Sequence, residues 1–231
     1  MIKKSKRIQR RNENIDFSKM YNIREGLDLI KNGATAKFDE TIEIVFSCNL
    51  DPRKGDQSVR GMVSLPCGTG KSVRIAVFAQ GEQANQAREA GADLVGDMDL
   101  IEAIQRGSMD FDLCIATPPM MAHLSKLGKI LGPKGLMPNP KLGTVTMDVA
   151  TAIDSAKKGQ VSLRADKQGI VHGIIGRASF AIDQLEQNFQ ALYEGFLELK
   201  PAGLKGGLVK KIYLSSTMGF SLEIDPARGL S

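Results

Sequence analysis

The chain has 231 residues and no tryptophan, and aromatic residues make up only 5% of it. A hydrophobic core must therefore be filled mainly by aliphatic side chains and by ten methionines. The three cysteines, Cys48, Cys67 and Cys114, form no Cys-x-x-Cys pair, and the sequence contains only two histidines. An odd number of cysteines and so few histidines argue against a disulfide framework and a zinc site. We therefore expect no metal, no cofactor and a reducing compartment.

Long apolar runs are also missing from the sequence. No stretch approaches the roughly twenty residues that a membrane-spanning helix requires, and charged residues follow soon after Met1. Neither His123 nor His172 has a cysteine or serine beside it in a known nucleophile arrangement. We expect a cytoplasmic protein that is not an enzyme and has no membrane partner.

Positive charge is distributed unevenly along this chain of net charge +5. Residues 1–70 carry 13 basic and 9 acidic side chains, and residues 158–231 carry 9 and 7. Residues 71–157 carry 9 basic and 10 acidic side chains, so the positive excess lies at the two ends. If the ends form one domain, that domain is the expected polyanion binder. Six basic residues among the first eleven predict either a solvated tail or an arm that touches phosphate.

The spacing of apolar residues predicts two kinds of architecture. Strands alternate with helices between residues 72 and 131, which predicts a parallel sheet with helices on its faces. Outside this stretch we predict helices at 23–30 and 182–199, and strands at 41–47, 160–165, 170–175, 208–214 and 218–224, the second and third of these strands being joined by a hairpin turn.

Residues 1–66 alone hold too few elements to bury a core. We therefore expect a discontinuous α+β domain, residues 1–67 plus 159–231, around an inserted Rossmann-like α/β domain of three layers, residues 68–158. The overall fold class is α/β.

Residues 67–72 lie at the first of the two crossings between these domains. They read Cys-Gly-Thr-Gly-Lys-Ser and resemble the end of a nucleotide-binding P-loop. The full pattern requires a glycine where Leu65 stands, and it opens a helix, whereas Ser72 opens a predicted strand. A nucleotide-dependent α/β hydrolase that uses Lys71 is therefore the alternative and not the preferred function. We interpret the two interdomain crossings as a hinge, because glycine allows φ to change. The hinge residues are Leu65, Gly68, Gly70, Lys158 and Gly159.

Residues 131–144 contain three glycines, three prolines, two lysines and no carboxylate. This composition excludes a helix or a central strand and predicts a stiff loop that presents positive charge. Its order, Gly-Pro-Lys-Gly-Leu-Met-Pro-Asn-Pro-Lys, resembles the signature of the ribosomal protein L-one family, found in the mobile stalk of the large ribosomal subunit. Further segments resemble that family, in order and with bacterial-type spacing: 37–41, 56–61, 65–66 with 68–70, 158–161, 169–172 and 215–219.

The resemblance implies a nested two-domain fold that binds large-subunit (23S) ribosomal RNA at the stalk. It further implies a role in releasing deacylated tRNA from the exit site and repression of translation of its own operon mRNA. It implies a protein that is monomeric when free and acts in the cytoplasm on the large subunit. A general RNA chaperone without a fixed site is a further alternative. The tail, residues 225–231, matches no motif and is assigned no role.

The first group of candidate RNA contacts surrounds the start of a predicted strand. Phe38 can stack on a base and Lys37 can meet phosphate. Thr41 and Glu43 share one face of the strand, where a carboxylate can accept hydrogen bonds from 2′-hydroxyls. By its residue type alone Phe38 is more often a core residue, and the family resemblance reverses that interpretation.

Two further groups lie near the end of the chain. Ser215 and Thr217 offer hydroxyls to RNA, Met218 offers an apolar surface, and Gly219 permits close approach, although the same segment also suits a tight turn. Arg164, Asp166 and His172 form the third group. A four-residue loop places Arg164 and His172 on opposite faces, whereas a bulge at Gly169 brings them together.

Overall fold

The computed structural model describes residues 15–51, 57, 59–201, 203–204 and 206–225. The chain divides into two compact units. The outer unit combines Met1–Gly70 with Val161–Ser231, and the inserted unit is Lys71–Gln160. The sequence prediction placed the two boundaries at 67/68 and 158/159. The basic first eleven residues lie outside the described residues, as does the tail after Asp225.

The described residues form both helices and strands, with short 3-10 turns at Ser125–Leu127 and Pro140–Leu142. In chain order the elements are α1 (Ile23–Gly33), β1 (Thr41–Cys48), β2 (Arg60–Ser64), β3 (Ile75–Phe78), α2 (Glu82–Glu89), β4 (Leu94–Gly96), α3 (Met98–Gln105), β5 (Leu113–Ala116), α4 (Pro118–Leu124), α5 (Gly128–Leu131), α6 (Val149–Lys157), β6 (Gln160–Arg164), β7 (Ile170–Arg177), α7 (Ile182–Glu198), β8 (Val209–Ser216) and β9 (Ser221–Ile224).

The outer unit is built on a four-stranded antiparallel sheet in the order β7-β1-β8-β9. Strict alternation in β1 buries Ile42, Ile44 and Phe46 completely and leaves the residues between them partly exposed. The buried side of the sheet packs against α1 and α7. The Phe46 ring stacks on that of Phe196 in α7, with 4.5 Å between the centroids. One face of the sheet is thus core and the other is open.

The predicted hairpin between residues 160 and 175 is only partly correct. Its turn forms, since the Asp166 N–H donates to the Ile170 carbonyl at 2.9 Å, and one bridge joins Ala165 to Val171. Beyond that bridge the strands separate, because β6 pairs with β2 and β7 pairs with β1. No strand was predicted at the position of β2, so β6 and β7 were expected to pair with each other.

The inserted unit has a parallel sheet in the order β4-β3-β5 with helices on both sides. Alternate residues of β3 enter different cores: Ala76 and Phe78 pack with α3, α4 and α5, whereas Ile75 and Val77 pack with α2 and α6. Such a strand, buried on both faces, is typical of a three-layer α/β unit. The predicted α/β fold class is therefore confirmed.

Local details of the inserted unit differ from the prediction. Strand β3 begins at Ile75 and not at Ser72, and α6 had not been predicted. Residues 118–131 do not form one continuous helix, because a 3-10 turn at Ser125–Leu127 separates α4 from α5. There the Ser125 hydroxyl donates to the Ala122 carbonyl at 2.6 Å, a bond that competes with the regular helical pattern.

A buried amide fixes the chain that follows β2. Asn188 in α7 has no exposed surface. Its Nδ2 donates to the carbonyls of Gly68 at 2.9 Å and of Ile175 at 2.7 Å, and its Oδ1 accepts from the N–H of Cys67 at 2.9 Å. One side chain therefore satisfies three backbone groups and ties the segment leaving β2 to α7 and β7.

We predict that Asn188→Leu lowers the free energy of unfolding by more than about 2 kcal/mol, because each unsatisfied polar group costs about 1–3 kcal/mol. Urea denaturation of the full chain measures this loss. Gln190→Leu, an exposed change on the same helix, should stay within about 0.5 kcal/mol of the parent. Similar losses for both variants would contradict the role assigned to Asn188.

Candidate RNA interface

The open face of the outer sheet brings together predicted contacts from three strands. Glu43 in β1 lies opposite Ile174 in β7 and Ser215 in β8. In the next row, Val45 lies between His172 and Tyr213. Directly opposed residues share a face of an antiparallel sheet. Glu43, His172 and Ser215 therefore project from one surface, and each is at least partly exposed.

Two loops meet at the end of this face where β1 begins. The first loop carries Lys37, which is exposed, and Phe38, whose exposed fraction is 54%. The second loop carries Met218, whose exposed fraction is 55%. The Thr217 N–H donates to the Thr41 carbonyl at 3.1 Å, and the Thr41 N–H donates to the Thr217 Oγ1 at 3.0 Å. The first two groups predicted from sequence are thus joined by direct hydrogen bonds.

The carboxylate of Glu40 connects the same two loops from below the surface. Glu40 is 1% exposed. Its Oε1 accepts from the Ala36 N–H at 3.0 Å. Its Oε2 accepts from the Ser216 hydroxyl at 2.8 Å and from the Met218 N–H at 3.0 Å. Three donors from the two loops converge on this one buried side chain, so Glu40 positions both loops.

Glu40 lies within the family-like segment 37–41 but is not among the predicted contact residues. A signal for it exists. Ile42 and Ile44 point inward because side chains alternate along β1. If the same alternation continues to the residue just before the strand, Glu40 points inward as well. A carboxylate at an inward position requires nearby donors, which the two loops provide.

A steric constraint within the protein itself favours glycine at position 219. A Cβ built at this position would lie 2.1 Å from the Ser216 Oγ, the atom that donates to Glu40. A larger residue would displace that hydroxyl and disturb the turn. The prediction that Gly219 permits close approach of RNA stays a prediction.

The third predicted group lies at a turn and beside it. Gly169 has a φ of 76°, and the hydrogen bond from the Asp166 N–H to the Ile170 carbonyl leaves three residues at the tip, which corresponds to the bulged alternative. Arg164 and His172 are the next residues beyond the bridge between Ala165 and Val171, and both are exposed, but there the two strands separate into different sheets.

Asp166 is held inside this turn. Its Oδ1 accepts from the N–H groups of Ile170 and Gln168, each at 2.8 Å. The bond from Ile170, followed by that from Gln168 and the nearby charge of His172, lowers the pKa of Asp166 below its ordinary value. The carboxylate is therefore ionised, and its main observed role is to order the turn.

Some of the predicted hinge residues are held in place by the outer unit, whereas others are not. Leu65 is 2% exposed, and Gly68 is held by Asn188. Gly70 and Gly159 have φ values of 72° and 93°, which favour glycine, and Lys158 follows the end of α6 as an exposed residue. The first half of the first crossing is thus fixed within the outer unit.

Lys71 does not lie at a phosphate-binding loop. Its Nζ donates to the Asp112 Oδ1 at 2.7 Å, and this bond, with that from the Arg74 N–H, lowers the pKa of Asp112. The chain runs from Gly70 through residues without helix to β3. No helix N-terminus follows the Gly-Lys-Ser sequence.

A shallow cleft of about 230 Å³ lies within the inserted unit, beside α6 and the end of the 131–144 loop. Its polar lining includes Thr144, Thr146 and Asp148, and Lys71 is not part of it. Asp148 caps α6 by accepting from the Thr151 N–H at 3.2 Å. The side-chain hydroxyl of Thr151, followed by this N–H, lowers the pKa of the carboxyl. The cleft therefore gives no support to a hydrolase that uses Lys71.

Two features are absent from the part of the chain that the structure describes. No helix there is both long and apolar enough to cross a membrane. No group of three or more histidine, cysteine, aspartate or glutamate residues there could hold a metal ion.

An open polar sheet face with two tethered loops is the arrangement of a binding protein. The chain belongs to the Ribosomal protein L1p/L10e family, whose sequence model matches residues 30–220. It is 55% identical over 227 residues to a protein of Aromatoleum aromaticum (strain DSM 19018 / LMG 30748 / EbN1) and 53% identical over 226 residues to one of Azoarcus sp. (strain BH72). Each match covers 98% of both chains, and both relatives are named large ribosomal subunit protein uL1. The predicted family and the predicted non-enzymatic nature are confirmed.

We predict that Glu40→Gln lowers the free energy of unfolding by about 1–3 kcal/mol, since an amide nitrogen cannot accept a hydrogen bond from the loop donors. Urea denaturation at neutral pH measures the loss. Glu43→Gln makes the same chemical change on the open face and should have little effect. Equal stability of the two variants would show that Glu40 does not position the loops.

Proposed function

We propose that this protein is a structural constituent of the large ribosomal subunit, in the cytoplasm, and that it binds large-subunit (23S) ribosomal RNA at the mobile stalk. The observation that carries the proposal is the open sheet face, with two loops tethered through Glu40 at its end. The names of the two relatives support the assignment to the large subunit.

The chemistry of the face fits RNA read through its sugars and unpaired bases. Phe38 and Met218 are more than half exposed and offer apolar surfaces to a base or a ribose. Lys37 is exposed beside them and can meet a phosphate. Glu43 and Ser215 can bond 2′-hydroxyls from their shared row.

The role proposed for Thr217 differs from that suggested by its sequence motif. Its hydroxyl accepts from the Thr41 N–H at 3.0 Å and lies 3.3 Å from the Thr41 carbonyl, to which it donates. The hydroxyl is thus already used within the protein. We assign it the task of ordering the turn that presents Met218, and we assign ribose contacts to Glu43 and Ser215.

Two more specific functions are part of the proposal: repression of the protein's own operon mRNA and release of deacylated tRNA from the exit site. An operon mRNA that folds like the ribosomal site would compete for the face, so free protein would repress translation of its own message. Release of deacylated tRNA from the exit site would involve movement of the inserted unit about the glycines at 70 and 159. These glycines have the backbone freedom that such a movement requires.

We predict that Phe38→Ala weakens binding of a stalk RNA by about 1–3 kcal/mol, the usual contribution of a base stacked on an aromatic ring. The slope of log affinity against log salt should not change, because no charge is removed. Filter binding across a salt series measures both quantities. Leu197→Ala removes another exposed apolar side chain, on α7, and should leave affinity unchanged. Full affinity in the Phe38 variant would contradict this interface.

Lys37→Gln should behave differently in the same titrations. We predict that it reduces the salt slope by about 0.7–0.9, the value for one phosphate contact. An RNA with 2′-deoxy substitutions should bind more weakly to the parent protein, whereas a purely electrostatic mode would tolerate it. Equally effective competition by unrelated structured RNA would instead indicate a general chaperone.

A further inference from the structure

The inserted unit separates its charges along the chain. Between Leu113 and Met147 the sequence contains four lysines and no aspartate or glutamate. The rest of the unit, residues 71–112 and 148–160, contains ten carboxylates and six lysines and arginines. One continuous segment is therefore the positive part of an otherwise acidic unit.

Helical spacing places part of this charge on one side. His123, Lys126 and Lys129 are three residues apart across α4, the 3-10 turn and α5, and residues at that spacing are neighbours on a helix surface. Leu124 and Leu127 between them are completely buried. Both lysines are exposed, so they project away from the core.

The described lysines of this segment are not neutralised. Among the described residues, Lys126, Lys129 and Lys134 form no ion pair, and the Lys134 Nζ contacts the neutral sulfur of Met109 at 3.6 Å. Five other cations of the unit do have polar partners: Lys71 and Arg74 with Asp112, Arg106 with Glu102, Arg88 with Asn85, and Lys157 with the Ala90 carbonyl.

Internal hydrogen bonds shape the loop that continues from α5. The Leu136 N–H donates to the Leu131 carbonyl at 3.0 Å. The Thr144 hydroxyl, in a buried residue, accepts from the Asn139 N–H at 2.8 Å. Leu136 also packs on the core beneath α5. A ligand that binds here would find Lys134 on a backbone already ordered, which reduces the entropy cost of binding.

We propose that the surface formed by His123, Lys126, Lys129 and Lys134 binds the phosphate backbone of an RNA segment separate from the one at the outer sheet. Lysine contacts phosphate as a point charge. Residues 113–147 contain no phenylalanine, tyrosine or tryptophan, so the surface lacks the large rings on which bases stack and should bind with little dependence on sequence. The RNA identity of the polyanion follows from membership of a ribosomal protein family.

The test uses the full chain with Phe38→Ala as background, which weakens the outer sheet face. A triple variant, Lys126→Gln, Lys129→Gln and Lys134→Gln, is compared with a control triple, Arg88→Gln, Arg106→Gln and Lys157→Gln. Binding of single-stranded polyuridylate is measured across a salt series. The first triple should lower the salt slope by about 2, since each phosphate contact contributes about 0.7. The control, which removes the same charge from partnered positions, should change it much less. Equal effects of the two triples would overturn the proposal.

Two further measurements test whether RNA contacts these lysines and whether RNA is their specific partner. Chemical acetylation followed by mass spectrometry should show that RNA protects Lys126, Lys129 and Lys134 more than Lys157, and uniform protection would also overturn the proposal. Vesicles of phosphatidylserine should bind weakly, and binding with the same lysine dependence would show that RNA is not the specific partner. If Phe38→Ala leaves the affinity for stalk RNA unchanged while the triple lysine variant still lowers the salt slope, the interface proposed on the outer sheet is wrong and the present inference stands.

Discussion

The buried carboxylate of Glu40 is the interaction on which the geometry of the outer interface depends. It gathers donors from the loop before β1 and from the turn after β8, segments about 180 residues apart in the chain. The neighbouring Asp39 acts in the same region, since its Oδ2 accepts from the Ser179 hydroxyl at 2.8 Å. Because these bonds exist without ligand, the exposed side chains of Phe38 and Met218 are presented on an ordered surface.

The two units distribute polar groups according to different needs. In the outer unit, buried polar side chains such as Asn188 and Glu40 fix loops to the sheet and to α7. In the inserted unit, apolar residues fill both sides of β3 and the charges remain at the surface. The first arrangement makes a shaped surface, which suits the recognition of folded RNA proposed for it. The second makes a charged surface, for which the exact geometry matters less.

Much of the fold could be predicted because periodicity is a local signal. The alternation of β1 and the helical repeat of α7 were correct within a few residues. Pairing was harder, since β2 lies in a polar region and its partner β6 is about 100 residues away. Motifs identified the exposed members of the candidate site. Glu40 was missed because its function depends on donors from Ala36, Ser216 and Met218, whose proximity only the folded chain creates.

The position of β1 in its sheet has a consequence for synthesis of the protein. This strand lies between β7 and β8, which leave the ribosome more than a hundred residues later. The inserted unit, whose contacts are local, can fold while the outer unit still waits for its partners. The loops joined by Glu40 meet only when the last strands have been made. A truncated chain would therefore lack the surface proposed to bind RNA, and under that proposal only finished molecules would compete for RNA.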